Sequence, residues 1–254
     1  MTEWVFWGDR QIVSVYGNIY LRTFVEDWFK IVETMAKEIK GEKLLDLGCG
    51  EGHTTKQILD RVKEKYICDL VEPNEFALNS AKSFLSFENK IGESYVDTLA
   101  SFKPNKKYGT VFTSHTNYYW ASDEQEYKKQ LDKATSLLDK GGRLLILTLP
   151  KDSDHYTIML KQVYPTFNYS EYISNHYKSK GFKVKIIRFK MRMFVGDMLT
   201  NGKFYEVNNF YRFIHNTDET PKKEESKKFL SKLKKYQKDG YLDFKDELII
   251  VSKE

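Results

Sequence analysis

The residues with the clearest chemical potential form a loop of three alternating glycines. Gly48, Gly50 and Gly52 stand in "DLGCGEG", directly after the apolar run "KLLDL". Glycine allows a sharp backbone turn and lets a ligand lie against the main chain. Open α/β sheets bind ligands outside the carboxyl ends of their strands. A glycine loop directly after a strand therefore predicts a ligand site.

The spacing of the loop excludes two common ligand classes. A phosphate-binding P-loop ends in Gly-Lys-Ser/Thr, whereas this loop ends in "EGHTT". A dinucleotide fingerprint needs its third glycine three residues after the second, and His53 occupies that position. The loop therefore predicts neither a nucleoside triphosphate nor a nicotinamide dinucleotide.

Two acidic residues accompany the loop. Asp46 ends the strand before it, where a carboxylate can order the loop and attract a cation. Glu72 ends the next apolar run, "YICDLVE", and a carboxylate there can accept hydrogen bonds from both hydroxyls of a ribose. Spacing alone therefore predicts a nucleoside-type cofactor and leaves its chemistry open.

"LLDLGCGEG" together with "LVEPN" resembles the S-adenosylmethionine site of the class I methyltransferases. The resemblance implies that Asp46, Gly48, Gly50 and Gly52 flank the methionine part and the sugar of S-adenosylmethionine. It also implies that Glu72 holds the ribose.

The same resemblance places further cofactor contacts on later strands. The adenine is expected after the third strand, near Gly92, Glu93 and Ser94. Ser114 and His115 leave the fourth strand and are expected to face the same cleft. The run "SHTNYY" departs from the Asn/Asp-Pro-Pro-aromatic run of enzymes that methylate nucleic-acid bases, so no nucleic-acid partner is expected.

A narrower resemblance is to histamine N-methyltransferase and related small-molecule methyltransferases. It rests on "NYYW" after the fourth strand, on "VEPN" and on a long insertion before the last strand. It implies a small-molecule substrate, with an amine favoured over a hydroxyl. The catalytic candidates are His115, which could take the proton of the amine as a neutral imidazole, and Tyr119. The substrate-binding candidates are Tyr16 (with Phe6 nearby), Glu26, Tyr118 and Asp246.

The elements that must position these residues alternate between strand and helix. Apolar runs at "KLLDLG", "YICDLVE", "YGTVFTS" and "GGRLLILTLP" predict buried parallel strands, with a short strand in "SFENKIGES". Helices are predicted over residues 54–63, 74–85 and 123–139. This order predicts a doubly wound, seven-stranded, mostly parallel sheet of the Rossmann-like methyltransferase type.

We expect one methyltransferase domain over residues 1–254. Residues 1–40 form a helical cap, 41–150 the cofactor-binding half and 151–254 the substrate half. The substrate half ends in the strands "KVKIIRFKMRMFV" and "DELIIVSKE", and a polar insertion at 196–245 separates them. An insertion of this length often covers a site.

Composition constrains the remaining properties. The net charge is +5, and much of it comes from a Lys-rich segment, residues 221–238, whose pattern predicts a solvated amphipathic helix. Cys49 and Cys68 form no disulfide framework, and no Cys/His spacing suggests a metal site. We expect a cytoplasmic monomer without a signal peptide or membrane contact.

Two alternative functions remain compatible with the sequence. The chain could methylate a protein or peptide side chain, with the Lys-rich helix docking an acidic partner. It could also be a cofactor-binding scaffold that does not catalyse turnover.

Overall fold

The computed structural model describes residues 25–86, 90–154, 157, 169–200, 207–208, 211–212 and 219–252. The strands are β1 Lys43–Leu47, β2 Ile67–Val71, β3 Ile91–Tyr95, β4 Tyr108–Ser114, β5 Leu138–Thr148, β6 Lys183–Phe194 and β7 Tyr241–Ser252. The helices are α1 Val25–Glu38, α2 His53–Leu59, α3 Glu75–Leu85, α4 Glu124–Ser136, α5 Ser170–Ser179, α6 Gly196–Leu199 and α7 Lys223–Tyr236. A short 3-10 helix spans Asn117–Tyr119.

The strands of the described residues form one seven-stranded sheet in the order β3-β2-β1-β4-β5-β7-β6. The pairs β1–β2, β2–β3, β1–β4 and β4–β5 are parallel, and β7 runs antiparallel to β5. The strand order therefore reverses between β1 and β4, which opens a crevice at their carboxyl ends. The predicted doubly wound, mostly parallel fold is confirmed.

The apolar runs become central strands because both faces of a parallel sheet are covered. In β1 and β2 only the first residue is exposed, and β4 is largely buried. Tyr127 and Leu131 of α4 and Ile173 of α5 join one core with Val111 and Leu144 of the sheet. These contacts hold the carboxyl ends of β1 and β4 in fixed positions.

Several predicted boundaries are wrong. The helix expected over residues 123–139 ends at Ser136, and β5 begins at Leu138 rather than at the two glycines. The two glycines lie within β5, beside the register shift between Tyr108 and Thr110 in the pairing of β4 with β5. The helix expected at 54–63 ends at Leu59. The last strand begins at Tyr241, so the predicted insertion ends earlier than residue 245.

The chain divides into two compact units. One comprises residues 29–150, 166–188 and 247–254 and contains the glycine loop, β1–β5 and the 3-10 helix. The other comprises residues 1–28, 151–165 and 189–246 and contains α6 and α7. In α7, Phe229 and Leu233 are buried and most of the lysines are exposed, which confirms the predicted amphipathic helix.

The expected N-terminal cap lies mostly outside the described residues, which start at residue 25 with α1. The division into a cap, a cofactor half and a substrate half stays a prediction. No helix in the described part of the chain is long and apolar enough to cross a membrane.

Candidate active site

The glycine loop after β1 is fastened to the end of β2. The backbone N–H groups of Gly48 and Cys49 both donate to the carbonyl oxygen of Val71, at 2.8 and 3.2 Å. Gly48, Gly50 and Gly52 have φ angles of 83°, 52° and 83°, in the left-handed region that favours glycine. The loop therefore turns sharply at the carboxyl edge of the sheet.

The three glycines differ in what a side chain would meet. A Cβ on Gly48 would lie 2.5 Å from Cγ2 of Thr116, and one on Gly52 would lie 3.1 Å from Cδ1 of Leu85. A Cβ on Gly50 would meet nothing within 4 Å. Gly48 and Gly52 are thus required by close contacts within the protein, whereas Gly50 faces open space where a ligand can approach the backbone.

Glu72 links the glycine loop to the start of α3. One of its carboxylate oxygens accepts a hydrogen bond from the N–H of Gly50 at 3.0 Å, and the other accepts one from the N–H of Asn74 at 3.0 Å. The side chain of Asn74 in turn caps α3 by accepting from the N–H of Ala77 at 3.0 Å. Glu72 is therefore held at the edge of the crevice by two backbone amides.

Burial changes the proton affinity of both acids. Burial raises the pKa of Asp46 to about 7; the hydrogen bond from the Thr55 hydroxyl opposes this rise, and the Glu72 charge adds to it. The Thr55 bond measures 2.6 Å. Burial also raises the pKa of Glu72, and the N–H bonds from Asn74 and Gly50 oppose the rise. A cation in the crevice would favour the ionised form of both groups.

The end of β4 lies beside the glycine loop. The hydroxyl of Thr116 donates to the carbonyl oxygen of Leu47 at 3.0 Å, which ties the segment after β4 to the end of β1. Ser114 is the last residue of β4 and is partly buried, and His115 follows it with a φ of 56°. The structure thus brings Ser114 and His115 next to the loop, at the crevice between β1 and β4.

Tyr118 and Tyr119 follow in the 3-10 helix. Tyr118 is buried, and its hydroxyl lies 3.2 Å from Nδ1 of His115. Tyr119 is partly exposed, and desolvation raises its pKa, so its hydroxyl stays protonated near neutral pH. Tyr118 is therefore a partner of His115, and Tyr119 offers a neutral aromatic surface rather than a phenolate base.

The residues expected near adenine lie at different heights along β3. Gly92 and Glu93 lie beside Asp69, in the middle of β2: the N–H of Glu93 donates to Asp69 at 2.9 Å. Ser94 pairs with Leu70, one step nearer the carboxyl edge. The first residue after β3 is Val96, an apolar side chain that is 55% exposed and that the sequence analysis did not single out. The end of β3 was hard to place from the sequence because this strand carries no continuous apolar run.

Some of the predicted substrate-binding residues lie outside the part of the chain that the structure describes. Tyr16 and Phe6 lie outside the described residues, and so does the side chain of Glu26 in α1. Asp246 is a buried residue of β7 and belongs to the unit that contains α7. The described residues include no group of three or more His, Cys, Asp or Glu side chains that could hold a metal ion.

Solved structures with the same fold include methyltransferases. The chain superposes on the YcgJ protein of Bacillus subtilis with a TM-score of 0.61 and 15% identity, covering 89% of this chain and 97% of that one. The N-methyltransferase NodS of Bradyrhizobium japonicum, in complex with S-adenosyl-L-homocysteine, has a TM-score of 0.55 and 9% identity. That match covers 89% of this chain and 88% of NodS. At these identities the likeness concerns the fold.

A curated relative is similar in sequence. An uncharacterized methyltransferase of Anoxybacillus flavithermus is 25% identical over 142 residues, which are 55% of this chain and 62% of the relative. The match thus spans less than two thirds of that relative's length.

The family match covers more of the chain than the match to the curated relative. The model of the ubiE/COQ5 methyltransferase family matches residues 20–211, well over half of the chain, and includes the glycine loop, Glu72 and the end of β4. The chain therefore belongs to the ubiE/COQ5 methyltransferase family.

Proposed function

We propose that the chain transfers a methyl group from S-adenosylmethionine to a small-molecule acceptor, with an amine as the nucleophile. The observation that carries the proposal is the environment of Gly50. Its N–H is held by Glu72 at 3.0 Å, while its Cα faces open space on the side where a side chain would stand. A ligand can therefore lie against the backbone beside a fixed carboxylate.

The donor and acceptor groups of the crevice fit this cofactor. Each oxygen of Glu72 accepts one backbone N–H and retains capacity for a second hydrogen bond, which a ribose hydroxyl can donate. Asp46, buried at the end of β1, would add negative charge near a cationic cofactor. Val96 would offer an apolar surface to a base on the side of β3.

When bound, S-adenosylmethionine supplies a methyl group on a positively charged sulfur, which a nucleophile displaces in line. The role of the protein is then to position the acceptor against the methyl group and to exclude water. Holding an acceptor in line with a reacting bond is worth up to roughly 7–11 kcal/mol of the barrier. The rigid segment after β4, with His115 and Tyr119, is the described part of the chain best placed for this task.

The amine is supported by the narrower resemblance to histamine N-methyltransferase and by the aromatic groups after β4. Tyr119 would hold a cationic product by cation–π attraction, worth about 0.5–2 kcal/mol. Tyr16, Glu26 and Asp246 remain candidates for contacts with the acceptor in this proposal.

Calorimetry with S-adenosylhomocysteine tests the cofactor site. Gly50→Arg should lower the affinity by about 100-fold or more, because the new side chain fills the open space at the loop. Gly141→Arg is the matched control: Gly141 also has a positive φ of 73° and open surroundings, but it lies near the start of β5, away from the crevice. Equal affinities for these two variants, or no heat with the wild type, would contradict the proposal.

Transfer of labelled methyl from S-adenosylmethionine tests the acceptor class. A panel of small aromatic amines should become labelled, and matched phenols should become labelled more slowly. Label that enters only protein side chains in a lysate would favour the protein-methylating alternative. Tight cofactor binding without any transfer would favour the scaffold.

A further inference from the structure

Thr148, the last residue of β5, lies next to the proposed catalytic segment. It is fully buried, and β5 pairs with β4 so that Ser114 stands opposite Leu147. The hydroxyl of Thr148 donates a hydrogen bond to the hydroxyl oxygen of Tyr118 at 3.3 Å. Thr148 thus connects the end of β5 to the 3-10 helix after β4.

Tyr118 continues this connection to His115. The hydroxyl oxygen of Tyr118 lies 3.2 Å from Nδ1 of His115, and the two rings stack with 26° between their planes. The backbone of His115 is held independently, because its N–H donates to the carbonyl oxygen of Leu147 at 3.0 Å. The main chain of His115 is therefore fixed by Leu147, and its ring is fixed by Tyr118.

The direction of the hydrogen bonds from Thr148 through Tyr118 to His115 indicates which nitrogen of His115 carries the proton. Thr148 donates to the phenol oxygen of Tyr118, so the proton of that phenol can serve the next bond, to His115. A neutral imidazole has one nitrogen that accepts and one that carries the proton. Because an imidazole nitrogen is a better acceptor than a phenol oxygen, Tyr118 donates and Nδ1 accepts. The proton of the neutral ring then stands on Nε2.

We infer that Thr148 and Tyr118 are positioning residues that hold His115 as its Nε2–H tautomer, so that His115 meets the methyl acceptor as a hydrogen-bond donor and not as a base. The part about the acceptor rests on the proposed function; the tautomer does not. Tyr118 then acts through His115, whereas the sequence analysis predicts that Tyr118 contacts the substrate itself.

The tautomer narrows the class of acceptor. A donor at Nε2 favours a molecule with a hydrogen-bond-accepting oxygen, such as a hydroxyl, ether or carbonyl, near its nucleophilic atom. A site built to pair with such an oxygen discriminates strongly against analogues that lack it. The amine itself would bind as the neutral form, with its lone pair left for the methyl group.

Nitrogen-15 NMR of histidine-labelled protein at pH 8.5 tests the relay without cofactor or substrate. His115→Asn identifies the His115 signals, since Asn tolerates the positive φ at this position. In the wild type, the spectra should show a protonated Nε2 and an unprotonated, hydrogen-bonded Nδ1. Tyr118→Phe should shift the Nδ1 signal and produce a mixture of tautomers. Thr148→Val should cause a smaller shift in the same direction, and Thr148→Ser should restore the wild-type spectrum.

Tyr127→Phe is the control for a lost buried hydroxyl, since its oxygen bonds to Asn117 at 3.2 Å rather than to His115. It should leave the His115 signals unchanged. A wild-type spectrum with the proton on Nδ1, or a tautomer unaffected by Tyr118→Phe, would overturn the inference. Because these spectra need no turnover, a failure of the methyl-transfer assay would count against the proposed function alone.

Discussion

Gly48 lies where the glycine loop packs against the segment after β4. A side chain there would place its Cβ 2.5 Å from Cγ2 of Thr116, and the hydroxyl of Thr116 bonds to the carbonyl of Leu47. The neighbour is the body of a short, anchored side chain, which has little freedom to move. The space around Gly48 is therefore set by the protein itself.

Gly48→Ala should lower the free energy of unfolding by about 2–4 kcal/mol. About 1–2 kcal/mol comes from the left-handed backbone, and the remainder comes from overpacking against Thr116. Urea unfolding measures the loss. Gly50→Ala carries only the backbone cost and should lose about 1–2 kcal/mol. A Gly48→Ala loss no larger than that of Gly50→Ala would contradict the close contact.

Asp46 should make stability depend on pH. Burial raises its pKa from 3.8 to about 7, so the folded state holds a proton that the unfolded state has already released. The stability of the ligand-free protein should therefore fall as pH rises from about 4 to 7, by up to about 4 kcal/mol from this group. Asp46→Asn should flatten this decline in thermal unfolding measured across the same range.

The control for this experiment is Asp60→Asn. Asp60 is an exposed acid that bonds to Lys56 at 3.0 Å, so its removal should leave the pH dependence in place. Glu72, whose pKa is also raised, should contribute a remaining slope of the same sign in Asp46→Asn. A pH dependence in Asp46→Asn identical to that of the wild type would contradict the raised pKa of Asp46.

At the residue scale the sequence reveals which positions matter but not why each glycine is there. The alternating pattern predicts one ligand-facing loop, whereas Gly52 is required by its contact with α3. That contact depends on how two helices pack, which local spacing does not encode. Thr148 was missed for a similar reason: its role depends on a neighbouring strand and on Tyr118.

Among the elements, α3 depends most clearly on a single cap. The side chain of Asn74 accepts from the N–H of Ala77, while the backbone N–H of Asn74 donates to Glu72. Asn74→Ala should cost about 1 kcal/mol of unfolding free energy because the cap is lost. The affinity for S-adenosylhomocysteine should change less than twofold, since the backbone N–H remains.

Asp123→Ala provides the comparison, because Asp123 caps α4 by the same kind of bond, at 2.8 Å to the N–H of Glu126. It should lose similar stability with no change in affinity. A large loss of affinity in Asn74→Ala alone would indicate that the cap, and not only the amide, positions Glu72.

Strand and helix types were predictable where the apolar run is continuous. In β1 and β2 it coincides with burial on both faces, so the elements and their order follow from the sequence. The start of β5 was not predictable, because Gly141 and Gly142 are typical of a turn and the register shift beside them arises from pairing with β4. β7 begins earlier than expected because its first six residues mix apolar and charged side chains and form no continuous apolar run.

For the whole molecule, substitution of the exposed lysines of α7 can distinguish small-molecule methylation from methylation of a protein partner. Lys228, Lys234 and Lys235 are exposed on a helix whose buried side holds Phe229 and Leu233. Changing these three lysines to Glu should leave small-molecule methylation within about twofold of the wild type, because no described contact ties them to the crevice. The same variant would lose most activity if an acidic protein partner docked there.

The matched variant with Gln at the three positions removes charge without reversing it and should behave like the wild type. Circular dichroism of both variants would show that α7 is retained. Steady-state rates with a small amine and with lysate proteins provide the comparison.

The fastening of the glycine loop to the end of β2 has a consequence for how the cofactor is recognised. Three consecutive amides, those of Gly48, Cys49 and Gly50, are already bonded to the Val71 carbonyl or the Glu72 carboxylate. The conformational entropy of ordering the loop is thus lost during folding and not during association. The loop is therefore preorganised, and its shape in the free protein determines which cofactor can bind.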